Sequence, residues 1–347
     1  MNLLAGDIGG TKTLLAIYEW KGNPKKIHQK KYFSKDWDSF DSIILDFIKT
    51  QPEGIEPANY GCIGVAGRVI NNSCKITNLE WEICLEKICK LAHLKKLELI
   101  NDFSVLIYGL QYLKEHQYEI IQGGYKNNNQ SINGLVAILG AGTGLGISRG
   151  LISSKELHVF PSEGGHCEFS PRTEKEWNLL KWLKKDLGLK RISLEKIVSG
   201  RGLGNIARWL LMQPEAKSHP LRQFAENYPI NSFKDQDISS MASELAMNGD
   251  QLMLEALKIW LNAYGSAAGD LALQELCYAG LWIGGGTAKK HLLGFKSNDF
   301  LEPLRDKGRF RPFLETLPIM VLTDPEAGLF SAGCRAFQLP YEMGNLD

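Results

Sequence analysis

Near the start of the chain, Gly6-Asp7-Ile8-Gly9-Gly10-Thr11-Lys12 combines a carboxylate with a glycine turn. Glycines at a turn let backbone N–H groups approach a ligand without intervening side chains, which suits an anion such as phosphate. Asp7 beside that anion would be repelled unless a divalent cation lay between them, and Mg²⁺ held partly through water suits a single carboxylate. Further on, Asn101-Asp102 sets an amide beside a carboxylate, and Glu163-Gly164-Gly165-His166 separates a carboxylate from an imidazole by two glycines. A carboxylate accepts from two hydroxyls and histidine donates or accepts, so this pair suits a small polyhydroxylated ligand. Two more glycine turns follow apolar runs, Gly140-Ala141-Gly142-Thr143-Gly144-Leu145-Gly146 and Gly284-Gly285-Gly286-Thr287. Together the turns can enclose a nucleotide, two at its phosphates and one beside the nucleoside. Each stretch alone also reads as a plain hairpin tip or solvated turn; their recurrence favours the chemical reading. The Gly140–Gly146 turn has the spacing of neither a Rossmann fingerprint nor a Walker A loop.

The elements that must position these groups follow from periodicity. Apolar runs flanking Gly9-Gly10 read as strand, turn, strand between Leu3 and Ile17, with a third strand over 27–33. Phe40, Ile43, Ile44, Phe47 and Ile48 recur at helical spacing within 38–50. Residues 60–67 form an apolar run with no helical stripe, a buried strand entering a loop. The pattern over 83–94 predicts an amphipathic helix, and 97–100 a strand that delivers Asn101-Asp102 at its carboxyl end. Strands alternating with helices indicate an α/β fold, where ligands gather beyond the carboxyl ends of strands. The polar, asparagine-rich stretch 123–134 predicts a surface excursion before a strand at 135–139. Thr173-x-x-Glu176 predicts a capping box for a helix through Leu187. A long alanine-rich helix is expected over 252–276, broken or kinked near Gly265 to Gly269. Strands at 279–283 and 319–322 follow, and Asp324-Pro325 leads into a small-residue helix over 326–337.

Composition narrows the class. The chain has 347 residues, 44% hydrophobic and 23% charged, enough for two domains of a soluble globular protein. Lys+Arg 40 against Asp+Glu 39 leaves a net charge of +1, with no basic patch to suggest nucleic acid. Neither a signal peptide nor a membrane span is expected, because Met1-Asn2-Leu3 lacks a positive n-region and no apolar run approaches the roughly 18 residues a span needs. The 7 cysteines are scattered, with Cys84 and Cys89 spaced for neither zinc nor a redox dithiol. Reduced thiols and a cytoplasmic enzyme are the expectation.

Eight motifs now carry a resemblance. They are Gly6-Asp7-Ile8-Gly9-Gly10-Thr11, Ile76-Thr77-Asn78-Leu79-Glu80-Trp81, Ile100-Asn101-Asp102-Phe103 and the Gly140–Gly146 turn, followed by Glu163-Gly164-Gly165-His166, Leu194-Glu195-Lys196-Ile197-Val198-Ser199-Gly200, Gly284-Gly285-Gly286 and Lys307-Gly308-Arg309-Phe310. In order and over nearly the whole length, the chain resembles the bacterial ATP-dependent glucokinases of the hexokinase/actin/Hsp70 ATPase superfamily.

The resemblance implies an α/β, two-domain actin-like ATPase (ribonuclease H-like) fold with an interdomain cleft. A smaller domain would hold 1–103 plus 326–347, and a larger one 104–325. It implies transfer of the γ-phosphate of ATP to the C6 hydroxyl of glucose, giving glucose 6-phosphate and ADP. Asp102 would be the catalytic base, and Asn78, Asn101, Asp102, Glu163, His166 and Glu195 the glucose ligands. Gly6, Asp7, Gly9, Gly10, Thr11, Lys12, Gly140, Gly142, Thr143 and Gly144 would bind ATP at its phosphates, with Gly284, Gly285 and Gly286 bordering the adenosine. Asp7 would organise Mg²⁺ through water. A cytoplasmic homodimer is what the resemblance implies for assembly. Glu195 by itself reads as a helix-start carboxylate; its sugar role comes from the resemblance alone.

The chain departs from the pattern at three positions. Lys12 stands where these glucokinases usually have Asn, and Arg68 and Arg201 where proline is common. The cysteine-rich zinc motif of the related ROK sugar kinases is missing. A kinase for mannose, fructose or an N-acetylhexosamine fits the same motifs. A non-catalytic sugar-binding regulator would be expected to lose Asp102 or Asp7, or to carry a helix-turn-helix ahead of the first strand. Neither sign is read here.

Overall fold

The apolar run at Asn2–Ile8 becomes strand β1, buried along most of its length, and turns at Gly9-Gly10 into β2 (Lys12–Trp20). In the computed structural model, which describes residues 1–76, 79, 81–123, 132–153, 156–227 and 235–342, the chain divides into two units. The first holds Met1–Gln117, Ser153–Pro161 and Asp324–Asp347; the second holds Tyr118–Ile152 and Ser162–Thr323.

In the first unit, β3 (Pro24–Phe33), β4 (Tyr60–Val65) and β5 (Lys96–Asn101) complete a mixed sheet of order β3-β2-β1-β4-β5. β1 is antiparallel to β2 and parallel to β4, which is parallel to β5. Every residue of β4 is buried, as its unbroken apolar run requires of a strand covered on both faces. One face packs on helix Phe40–Lys49, whose Phe40, Ile43, Ile44 and Phe47 are buried at the expected spacing and whose N-cap Ser39 accepts from the Ser42 N–H at 3.3 Å. Helix Ala327–Glu342 covers the other face, setting Leu329, Ala332, Ala336 and Leu339 against Leu3, Ala5, Tyr60 and Cys62. The helix expected from residue 83 begins only at Leu85 and ends at Leu91. Glu82–Cys84 instead pairs with Ser73–Lys75 in a small three-stranded sheet, so strand pairing claims residues that a helical stripe had included.

In the second unit, β6 (Tyr118–Gln122), β7 (Gly134–Ala141), β8 (Leu145–Ile152), β9 (Gly280–Gly284) and β10 (Ile319–Leu322) lie in the order β8-β7-β9-β10-β6. β7 is antiparallel to β8 and parallel to β9, repeating the hairpin-then-parallel arrangement of the first unit. Helix Glu174–Asp186 starts as its capping pattern predicts: Thr173 Oγ1 accepts from the Glu176 N–H at 3.2 Å. Helix Gln251–Glu275 runs without the expected break. Gly265 and Gly269 are spacers, because a Cβ on either would strike the carbonyl oxygen of Phe300 or Leu304 in helix Asn298–Arg305. Trp260, Tyr264, Phe295 and Phe300 fill the adjoining core edge to face, with Phe295 and Phe300 centroids 5.0 Å apart. Among the described residues, no helix is long and apolar enough to cross a membrane.

Candidate active site

Two sets of site residues emerge, one in each unit. In the first unit, the hairpin at the end of β1 closes with the Gly9 N–H donating to the Lys12 carbonyl at 2.9 Å. Asp7 pairs in register with Gly64 of β4. The Ala66 N–H donates to the Ile8 carbonyl at 2.9 Å and the Asp102 N–H to the Val65 carbonyl at 3.0 Å, so the three parallel strands keep their alignment past their ends. Gly64 leaves room there: a Cβ on it would lie 3.3 Å from Val105 Cγ1 and 3.6 Å from the Cα of Asp102.

Asn101 is an orienting side chain. Its Oδ1 accepts from the Phe103 N–H at 3.1 Å and the Ser104 N–H at 3.2 Å, and its Nδ2 donates to Asp102 Oδ1 at 3.1 Å. Burial, reinforced by the neighbouring charge of Asp7, pushes the Asp102 carboxyl up to about 7. Burial likewise raises Asp7, against the opposing pull of the Lys12 ammonium. Asp7 also lies beside helix Ala327–Glu342, where a Cβ on Gly328 would come within 3.4 Å of its Oδ2. The start of that helix is fixed by Asp324, whose Oδ1 accepts from the Glu326 N–H at 2.9 Å and whose Oδ2 accepts from Gln117 Nε2 at 2.6 Å. Gly64 and Gly328 went unmarked as site residues in the sequence; the small-residue character of both segments was the available signal. Asn78 lies outside the described residues.

In the second unit the β7–β8 turn is held from several directions. The Gly142 N–H donates to the Gly144 carbonyl at 2.8 Å within the turn. Leu145 N–H donates to Glu195 Oε2 at 3.0 Å, and a Cβ on Gly144 would land on that same carboxylate. Across the turn, the Gly142 carbonyl accepts from the Gly200 N–H at 2.8 Å, where helix Gly200–Leu211 begins. Ser199 caps that helix by accepting from the Gly202 N–H at 2.9 Å, and donates to the Glu195 carbonyl at 2.7 Å. The third glycine turn adjoins the second through Ala141: Thr287 Oγ1 donates to the Ala141 carbonyl at 2.8 Å. Gly285 has a φ of +84° and a Cβ on it would sit 2.6 Å from that carbonyl oxygen, so both conformation and space require glycine.

Glu163 and His166 are exposed, with His166 Nε2 and Glu163 Oε2 3.8 Å apart. The loop that carries them is seated on the same turn, since a Cβ on Gly165 would strike the Leu145 carbonyl. Glu195, the Glu163–His166 loop and the Gly140–Gly146 turn are therefore brought together in this unit. A Cβ at Gly142 or Gly286 would meet nothing within 4 Å, so the two glycine turns also present open backbone. Among the described residues, no group of three or more His, Cys, Asp or Glu side chains could hold a metal ion.

A family model described as glucokinase matches residues 4–339. The chain belongs to the glucokinase family. It is 36% identical over 344 residues to the glucokinase of Trichormus variabilis, covering 97% of this chain and 99% of the relative. To the Synechocystis glucokinase it is 34% identical over 359 residues, covering 97% and 98%. Among solved structures, a glucokinase from an Antarctic psychrotroph matches with a TM-score of 0.79 at 25% identity, over 97% of this chain and 99% of that one. A ROK family glucokinase from Streptomyces griseus, solved with glucose and AMPPNP, shares the fold at a TM-score of 0.60 and 20% identity, covering 97% and 100%. The fold is that of the actin-like ATPases, α/β with mixed sheets, as the sequence resemblance implied.

Proposed function

We propose that this member of the glucokinase family transfers the γ-phosphate of ATP to the C6 hydroxyl of glucose, giving glucose 6-phosphate and ADP. The observation that carries the mechanism is the environment of Asp102, a carboxyl pushed up to about 7 beyond the carboxyl end of β5. A general base works best with a pKa near the working pH, and a positioned one is worth about 10²–10⁴-fold in rate. Asp102 accepts the proton of the C6 hydroxyl as that oxygen bonds to the γ-phosphorus and the bond to the ADP oxygen breaks. Asn101 holds the Asp102 carboxylate through its Nδ2.

Glu163, His166 and Glu195, with Asn101 and Asn78, pair with the sugar hydroxyls in this reading. Polar partners left unpaired by the wrong sugar would supply selectivity. The Gly9–Lys12 and Gly140–Gly144 turns offer backbone N–H groups and Thr11, Lys12 and Thr143 side chains to the phosphates, while Gly284–Gly286 borders the adenosine. Asp7 would hold Mg²⁺ partly through water, and the bound ion would neutralise phosphate charge. The glucose and AMPPNP complex of the Streptomyces griseus protein supports this pair of substrates for the fold.

The test is a coupled ADP-release assay with Mg-ATP across a panel of hexoses. Glucose-dependent release with glucose 6-phosphate as product is expected. Release with a different hexose alone would replace the substrate and keep the chemistry. No sugar-stimulated release would overturn the proposal.

A further inference from the structure

Glu195 grips the β7–β8 turn at both ends. Its side chain accepts from the Leu145 N–H at 3.0 Å on one side. Its carbonyl accepts from Ser199 Oγ at 2.7 Å, and the next residue, Gly200, donates to the Gly142 carbonyl at 2.8 Å on the other. With the Gly142–Gly144 bond at 2.8 Å, these contacts close a ring through the turn. Gly144 is part of the same device, since any side chain there would displace the carboxylate.

We propose that Glu195 is a positioning residue that couples sugar binding to the phosphate-binding turn. The inference rests on the functional reading above, in which Glu195 touches the sugar and the turn touches phosphate. A carboxylate has about four lone-pair sites, so Oε2 can hold the Leu145 N–H while the group still accepts from a sugar hydroxyl. A sugar that fixes the Glu195 rotamer removes side-chain freedom before the phosphates arrive. The turn is then ordered in advance, and nucleotide binds more tightly. Linkage makes the effect reciprocal: nucleotide must strengthen sugar binding by the same factor.

The test is calorimetric titration of the full-length protein with Mg-AMPPNP, with and without saturating glucose, and of glucose with and without Mg-AMPPNP. In the wild type each ligand lowers the Kd of the other by one common factor, about fivefold or more. Glu195→Ala brings that factor to about one. Glu195→Gln keeps an amide oxygen for the Leu145 N–H, so it retains coupling while glucose affinity falls. Glu163→Gln weakens glucose binding and leaves the coupling factor intact, because that side chain does not hold the turn. Gly144→Ala leaves the Glu195 carboxylate in the chain but displaces it from the turn, and abolishes coupling; it carries the test where Glu195→Ala misfolds or no longer binds glucose. A wild-type factor of one with both ligands bound, or undiminished coupling in Gly144→Ala, overturns the inference alone. A wild type that binds no glucose overturns the functional reading and the inference with it.

Discussion

Asp7 and Asp102 stand on either side of Gly64: Asp7 is its register partner on β1, and Asp102 follows the β5 strand whose Ile100 is its partner on the other flank. Because Gly64 has no side chain, nothing rises between the two carboxyls from the strand that separates them. Burial raises the proton affinity of Asp102 and the nearby charge of Asp7 adds to it, as the value of about 7 records.

Asp102→Asn keeps the size and hydrogen-bonding shape of the side chain but cannot accept the hydroxyl proton. Turnover is expected to fall by about 100-fold or more. Glucose affinity, read by titration, is expected to change little. Near-normal turnover would remove Asp102 from the role of base.

The rate should carry the same signature in pH. The deprotonated carboxylate is the active form, so kcat/KM is expected to climb as pH rises through about 7 and to level above it. The residual rate of Asp102→Asn should lack that limb. A wild-type profile flat from pH 5.5 to 8.5 would contradict the assignment.

Stability should run the opposite way. Both Asp7 and Asp102 have carboxyls raised in the folded chain, so between about pH 4 and 7 the folded state binds more protons than the unfolded one. Their contribution is greatest at the acid end and is lost as pH rises through about 7. Asp102→Asn removes one of these buried charges and is expected to raise the melting temperature at pH 8, with a smaller gain at pH 5. Thermal unfolding at the two pH values checks the sign.

Gly265→Ala adds a methyl where the Phe300 carbonyl already sits. Alanine gains about 1 kcal/mol of helix propensity over glycine, but overpacking costs typically 1–3 kcal/mol and here presses on backbone. Net destabilisation is expected in chemical denaturation, and an unchanged or raised midpoint would show that the two helices can separate freely.

The strands that carry Asp7 and Asp102 were legible because apolar runs end in glycine or in polar pairs, a local signal. Gly265 and Gly269 misled for the converse reason. Their cost to a helix is local and visible, whereas the Phe300 and Leu304 carbonyls that require them belong to a distant segment. The helix expected from residue 83 lost its first residues to strand pairing with Ser73–Lys75, which no 3.6-residue period reports. Glu195 showed only as a helix-start carboxylate, since its partner Leu145 lies in another motif and offers a backbone N–H, which has no sequence signature. Local patterns thus gave the strands and turns, and tertiary contacts decided which side chains they bring together.

The helix at 327–342 supplies half of the covering on β1 and β4, the first and fourth strands of the chain. A ribosome must therefore release the chain through residue 342 before that face of the first unit can be covered. At about 5–20 residues per second, the apolar surface around Leu3, Ala5, Tyr60 and Cys62 waits some tens of seconds for its partner. The second unit, made later, has all of its own segments by then. Maturation runs in reverse of birth order: the unit begun first is the last to close, and it is the one a nascent-chain chaperone would have to guard.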